Sequence, residues 1–170
     1  MKAFIIILSG FLCGALYAFP SAAFLSWIVM IPYLYIIIKS VLESPYRLRT
    51  YYRYGFLFSF AYFTAIFHWF WYQYNMDFLG LTFWQNIAYV LIAWLGLSFL
   101  YSLTLGLLPL LFALTARTGL YRKSTLFAPV VLAGMWAVTE WLHSKTWMGV
   151  PWGKLAVTQR ESVSYTHLRA

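Results

Sequence analysis

FLGLTFWQNIAYVLIAWLGLSFLYSLTLGLLPLLFALTAR, residues 78–117, holds no charge until its last residue, Arg117. A helix crossing a bilayer needs about 20 apolar residues. The stretch is therefore long for one crossing and short for two with a turn between them. Its flanks decide. The loop at its start holds Asn75, Asp77 and Gly80, with no cation; the loop at its end holds Arg117, Arg122 and Lys123. Basic loops collect on the cytoplasmic side of a membrane. The connection 39–53 is also basic, with Lys39, Arg47, Arg49 and Arg53 against the single acid Glu43. One crossing puts 117–123 on the same side as 39–53, and two do not. The reading is a lead-in over 81–86 and one helix over 87–115, with Ser98, Ser102 and Gly106 repeating at every fourth residue as a packing stripe.

The neighbouring runs follow the same alternation. Residues 54–74 form a span that ends in a ring-rich segment holding His68, Trp69, Phe70, Trp71 and Tyr72. Residues 126–142 form the last span. At the start, 3–19 and 22–38 form two more, separated at Pro20 and Ser21, with Pro32 expected to kink the second. Gly10 and Gly14, Gly55 and Ser59, and Ala61 and Ala65 are small-xxx-small pairs that allow helices to approach closely. Residues 1–23 also imitate a signal peptide, but apolar sequence resumes directly after Pro20, so the run reads as a retained first helix. The expected fold is all-α: a polytopic transmembrane bundle of about five spans over residues 1–159, with the amino terminus cytoplasmic.

Composition supports this and excludes other classes. The chain has 170 residues, of which 63% are hydrophobic and 9% charged, against roughly 25% charge in a soluble domain. The net charge of +8 does not indicate nucleic acid, because the basic residues are spread through the breaks between apolar runs. Cys13 is the one cysteine, so neither an internal disulfide nor a thiolate metal cluster is available. Gly10-Phe11-Leu12-Cys13 also lacks a lipidation pattern. No HExxH, paired-His spacing, glycine-rich phosphate loop or GxSxG occurs, and no metal or cofactor is called for.

The candidate functional residues cluster late in the chain: Glu140-Trp141-Leu142-His143, then Met148-Gly149-Val150-Pro151-Trp152-Gly153. A carboxylate at the centre of an apolar helix costs about 2.5–3.5 kcal/mol on insertion scales, so a membrane chain keeps one that is paired or used. Glu140 is the best single candidate for a substrate-head-group or docking role; its plainer reading is a structural carboxylate bonded to Trp or backbone groups. Trp141, His143, Gly149, Pro151 and Trp152 accompany it, though a rigid interfacial turn explains Pro151 and Trp152 equally. His68 and Trp69, on the same side by the alternation, are further candidates; packing or interfacial anchoring is their plainer reading.

These residues resemble the bacterial apolipoprotein N-acyltransferase family at its N-terminal membrane portion. Three blocks match in order: Ala18-Phe19-Pro20 with Trp27 and Ile31-Pro32-Tyr33-Leu34; Gly55-Phe56-Leu57-Phe58 through His68-Trp69; and Trp136 to Gln159, including Glu140-Trp141-Leu142, Gly149-Val150-Pro151-Trp152 and Thr158-Gln159. His143 stands where the family has Arg, Met148 where it has Thr, and Val150 where it has Phe. The resemblance implies an inner-membrane enzyme that moves an acyl chain from a phospholipid donor to the α-amine of a diacylglyceryl lipoprotein. It implies a nitrilase-like domain whose Cys thiolate forms a thioester, with a Glu as base and a Lys at the oxyanion. None of those three is assignable here, so the chain is expected to grip lipid and dock the catalytic domain without catalysing transfer.

Two other classes remain open at this point: a small self-contained transporter or channel subunit, and a non-catalytic membrane scaffold. Residues 160–170, polar and without a period, are expected to be a non-native tail on a truncated reading frame.

Overall fold

A computed structural model describes residues 1–43, 47–73, 80–119, 126–145 and 153. Among them every regular element is helical: α1 (Lys2–Ala15), α2 (Leu25–Glu43), α3 (Leu48–Ile66), α4 (Phe83–Leu105), α5 (Leu107–Arg117) and α6 (Phe127–Lys145). Tighter 3-10 turns cover Leu16–Ala18, Pro20–Ala22 and Phe67–Gln73. Two stretches, Leu25–Glu43 and Phe83–Arg117, are long and apolar enough to cross a membrane.

α3 is the centre, and glycines set how closely its neighbours approach. A methyl group on Gly10 would lie 2.3 Å from the Phe58 carbonyl oxygen, and one on Gly14 would lie 2.3 Å from that of Tyr62. Only a residue without Cβ fits at such a crossing. Each glycine meets α3 at the same residue offset, so α1 and α3 run parallel. Their connection, α2, must therefore run the other way. The Tyr51 hydroxyl donates to the Ser40 carbonyl at 2.9 Å, fixing the end of α2 to the start of α3. Consequently Lys2, Lys39, Glu43, Arg47, Arg49 and Arg53 share one end of the bundle.

α4 and α5 cross the other side of α3. A Cβ on Gly55 would meet the Gly106 carbonyl oxygen at 2.5 Å, and Pro109 atoms at 2.7 and 2.9 Å. Farther along, the Trp94 indole donates to the Thr64 carbonyl at 2.8 Å, so α4 is antiparallel to α3. Ser98 and Ser102 are fully buried, and their hydroxyls donate to the carbonyls of Trp94 and Ser98. The long apolar run is interrupted at Gly106, between α4 and α5. Pro109 explains the position: it has no N–H to give and its ring crowds the carbonyl four residues back.

Aromatic rings fill the interior. Tyr33 of α2 stacks on Phe58 at 3.9 Å, and Trp136 of α6 meets the same ring edge-on at 6.1 Å. Phe63 contacts both Phe67 and Tyr101. Each such pair adds about 0.5–1.5 kcal/mol beyond area burial.

Several boundaries differ from those read in the sequence. α3 starts at Leu48, six residues before the expected 54, so Arg49 and Arg53 sit in its first turns. Its aromatic continuation, 67–73, is 3-10 rather than α-helix. The lead-in over 81–86 is mostly α4 itself, because Thr82 and Gln85 form a capping box that starts the helix at Phe83. α2 continues unbroken through Pro32.

The glycine crossings predict a contrast. Gly10→Ala or Gly14→Ala forces backbone apart and costs about 1–3 kcal/mol of stability. Gly96, where a Cβ meets nothing within 4 Å, tolerates the same change without loss. Unfolding in detergent micelles measures this, and equal behaviour of Gly10→Ala and Gly96→Ala would refute the crossing.

Candidate functional site

The sequence candidates separate into different places. α6 runs parallel to α3: Trp136 meets Phe58, and one to two turns later His143 packs edge-on against Tyr101 at 5.5 Å. Trp136 and Glu140, four residues apart, therefore share a face of α6. The Trp136 indole N–H donates to Glu140 Oε1 at 2.7 Å. Trp136 is buried, while Glu140 is half-buried.

That pair closes one side of a groove between α2 and α6, with a volume of about 350 Å³. Trp27, Met30 and Leu34 form its α2 wall; Leu132, Ala133 and Trp136 form its α6 wall. Glu140 is the one ionisable residue among those lining it. Glu140 and Trp27 lie toward the end of the bundle opposite the basic cluster, because α2 descends from Trp27 toward Glu43 while α6 ascends toward Lys145. Chemically this is a holding site. Its walls suit an apolar chain and its one carboxylate suits a polar or cationic group; no lining residue is a nucleophile.

The other candidates lie elsewhere. Trp141 points away from the core and is 59% exposed. His143 hydrogen-bonds through Nε2 to the Thr104 hydroxyl, so it fastens α6 to α4. His68 is exposed; its Nδ1 donates to the Ala65 carbonyl at 2.7 Å, which fixes the tautomer and leaves Nε2 as the outward nitrogen. Trp69 stacks on Phe70 at 4.3 Å. Gly149, Pro151 and Trp152 lie outside the described residues. Gly153, next to them, adopts φ +78°, and its carbonyl accepts the Tyr62 hydroxyl at 2.8 Å. A Cβ there would lie 2.7 Å from the Phe63 ring. Gly153 is thus seated on the central helix.

Trp136, Trp27 and Tyr62 were not among the candidates. Trp136 could have been found from its i, i+4 spacing to Glu140. Trp27 and Tyr62 become partners only through packing between helices. Among the described residues no group of His, Cys, Asp and Glu could hold a metal.

The sequence profile described as "Apolipoprotein N-acyltransferase N-terminal domain" matches residues 9–168. The chain belongs to this family. The matched span contains all the candidate residues above and runs on through most of 160–170. A curated relative, the apolipoprotein N-acyltransferase of Gloeobacter violaceus, is 30% identical over 132 residues, 78% of this chain. The chain spans 23% of that relative's length. No solved structure matches it.

Within this family member, His143 and His68 should respond differently to truncation. His143→Ala removes the bond to Thr104 and the Tyr101 contact, and should cost about 1 kcal/mol. His68→Ala, at an exposed position, should cost less than about 0.5 kcal/mol. Equal losses in micelle unfolding would contradict the placement of His143.

Proposed function

We propose that this chain is the lipid-binding membrane portion of an apolipoprotein N-acyltransferase. It crosses the bacterial inner membrane about five times with its amino terminus in the cytoplasm. The α2–α6 groove receives an acyl chain of the phospholipid donor or of the diacylglyceryl lipoprotein, with Glu140 facing the polar part of that lipid. The observation that carries this is the groove itself: apolar along its length, open at the surface, with one carboxylate toward the end away from the basic cluster.

The exposed apolar residues support a lipid solvent. Ile92 is 73% exposed and Val130 67%, outward-facing positions that a soluble monomer would not populate so heavily. Phe83–Arg117 has 35 residues, which rise about 52 Å. That exceeds the ~30 Å hydrocarbon core, leaving room for one tilted or bent crossing. Transport gains no support from Ser98 and Ser102, since both hydroxyls are buried and bonded within α4.

The acyl-transfer chemistry is not carried by the residues described here. Cys13 is fully buried in the core, against which α1 packs onto α3, and is not part of the groove. A thioester needs an accessible thiolate. No hydroxylamine-labile acyl group should therefore form on Cys13 when the chain is incubated with phospholipid; its detection by mass spectrometry would overturn this division of labour.

Photocrosslinking tests the groove. A phospholipid with a diazirine in its acyl chain, in nanodiscs containing the protein, should label Met30 and Leu132 preferentially. Ala133→Trp, which fills the groove, should reduce that labelling several-fold. Uniform labelling around the bundle, unchanged by Ala133→Trp, would contradict the proposal.

A further inference from the structure

The α2–α6 groove is matched in height and in volume to one alkyl chain. Along α6 its lining runs from Pro129 to Glu140, a rise of about 16 Å at 1.5 Å per residue. An extended chain advances about 3.6 Å every three bonds, so that height takes about fourteen carbons. Volume gives the same figure independently. An apolar cavity of about 150 Å³ holds benzene, a six-carbon ring, so the groove's 350 Å³ holds about fourteen carbons. Two chains side by side over the same height would need twice that volume. We propose that the groove admits one acyl chain of a diacyl lipid, to a depth of about fourteen carbons, and leaves the other chain outside in the bilayer, with Ala133 and Ala137 setting this width.

The lining residues explain how a chain enters. Met30, Leu132 and Trp136 are buried and form an apolar floor. Trp27 is 55% exposed, and Ala133 and Ala137, one turn apart on α6, are exposed as well. The groove is therefore open along its side, between an indole and two methyl groups, and a chain moves in from the surrounding lipid without leaving apolar contact. A branched side chain at 137 would take the space of the incoming chain. The height of the groove is also about half of the ~30 Å hydrocarbon core, so a lipid from one leaflet fills it. Glu140 accepts hydrogen bonds and is the one ionisable residue of the lining. The polar end of the lipid therefore lies at Glu140, and the methyl end of the chain lies toward Leu34 and Pro129.

The inference rests on the reading of the groove as an acyl-chain site, and it can fail while that reading stands. Nanodiscs containing the protein and a phosphatidylcholine with a diazirine in each chain test it. Adducts attached through both chains should hold one chain on Met30 or Leu132 and the other on an outward residue such as Ile28 or Val130, which are 58% and 67% exposed. A lysophosphatidylcholine carrying the same probe in its single chain should label Met30 and Leu132 as strongly as the diacyl lipid. A probe near the ester should mark Trp136, and one near the methyl end Leu34. Ala137→Leu should lower the labelling of Met30 and Leu132 several-fold, whereas Val138→Leu, at the exposed position beside it, should not. Both chains of one lipid on lining residues, or labelling by the diacyl lipid with none by the single-chain lipid, would overturn this inference and leave the acyl-chain reading intact. The reverse order of the two probes would overturn the orientation, and equal labelling in the two variants would overturn the role of Ala137. Absence of groove labelling with either lipid would overturn the acyl-chain reading and this inference together.

Discussion

The contact between α1 and α3 governs the arrangement of the rest. Two glycines one turn apart place their Cα atoms against α3 backbone, where a single methyl would collide with a carbonyl. In lipid, helices gain little from hiding apolar surface from one another, so close packing supplies much of the association. A parallel pair at this distance determines the direction of α2, the end at which Lys2 meets Lys39, and the face of α3 left for α4 and α5. Gly55 and Gly106 repeat the device on that second face. α6 has no comparable glycine: a Cβ on Gly134 would meet nothing within 4 Å. It is held instead by rings and by the His143–Thr104 bond, and that looser seat leaves space for the groove.

The groove and the basic cluster divide the polar residues of the chain between two ends. At one end a carboxylate accepts an indole N–H, a bond to a charged group that stabilises by about 1.5–3 kcal/mol. At the other end Lys2, Lys39, Arg47, Arg49 and Arg53 gather with one acid, Glu43. The asymmetry is the one expected of a protein inserted in a fixed orientation.

Much of the helical order was legible in the sequence, because apolar runs and charged breaks alternate. The boundaries were less so. Charge marks where hydrocarbon ends, whereas a helix continues beyond it when arginines such as Arg49 and Arg53 extend into water; α3 therefore began earlier than its apolar run. The start of α4 was readable from Thr82 and Gln85, whose spacing is that of a capping box. The bend at Gly106 follows from Pro109 three residues on. Gly10 and Gly14 advertised a close contact but not its partner, since spacing along one helix carries no information about which helix it meets. The candidate site shows the same limit. Glu140 stood out because a charge in an apolar run is rare. Its bond to Trp136 lies within one helix, but the wall formed by Trp27, Met30 and Leu34 exists only once α2 packs beside α6.

The central claim is that the Glu140 end and the Lys2–Lys39 end face opposite sides of a membrane. Single cysteines at Glu43 and Lys145, each in a Cys13→Ser background, report this directly when treated with a membrane-impermeant maleimide. In intact spheroplasts the cysteine at 145 should label and the one at 43 should not, and in inverted vesicles the pattern should reverse. Labelling of both from the same side would contradict the account.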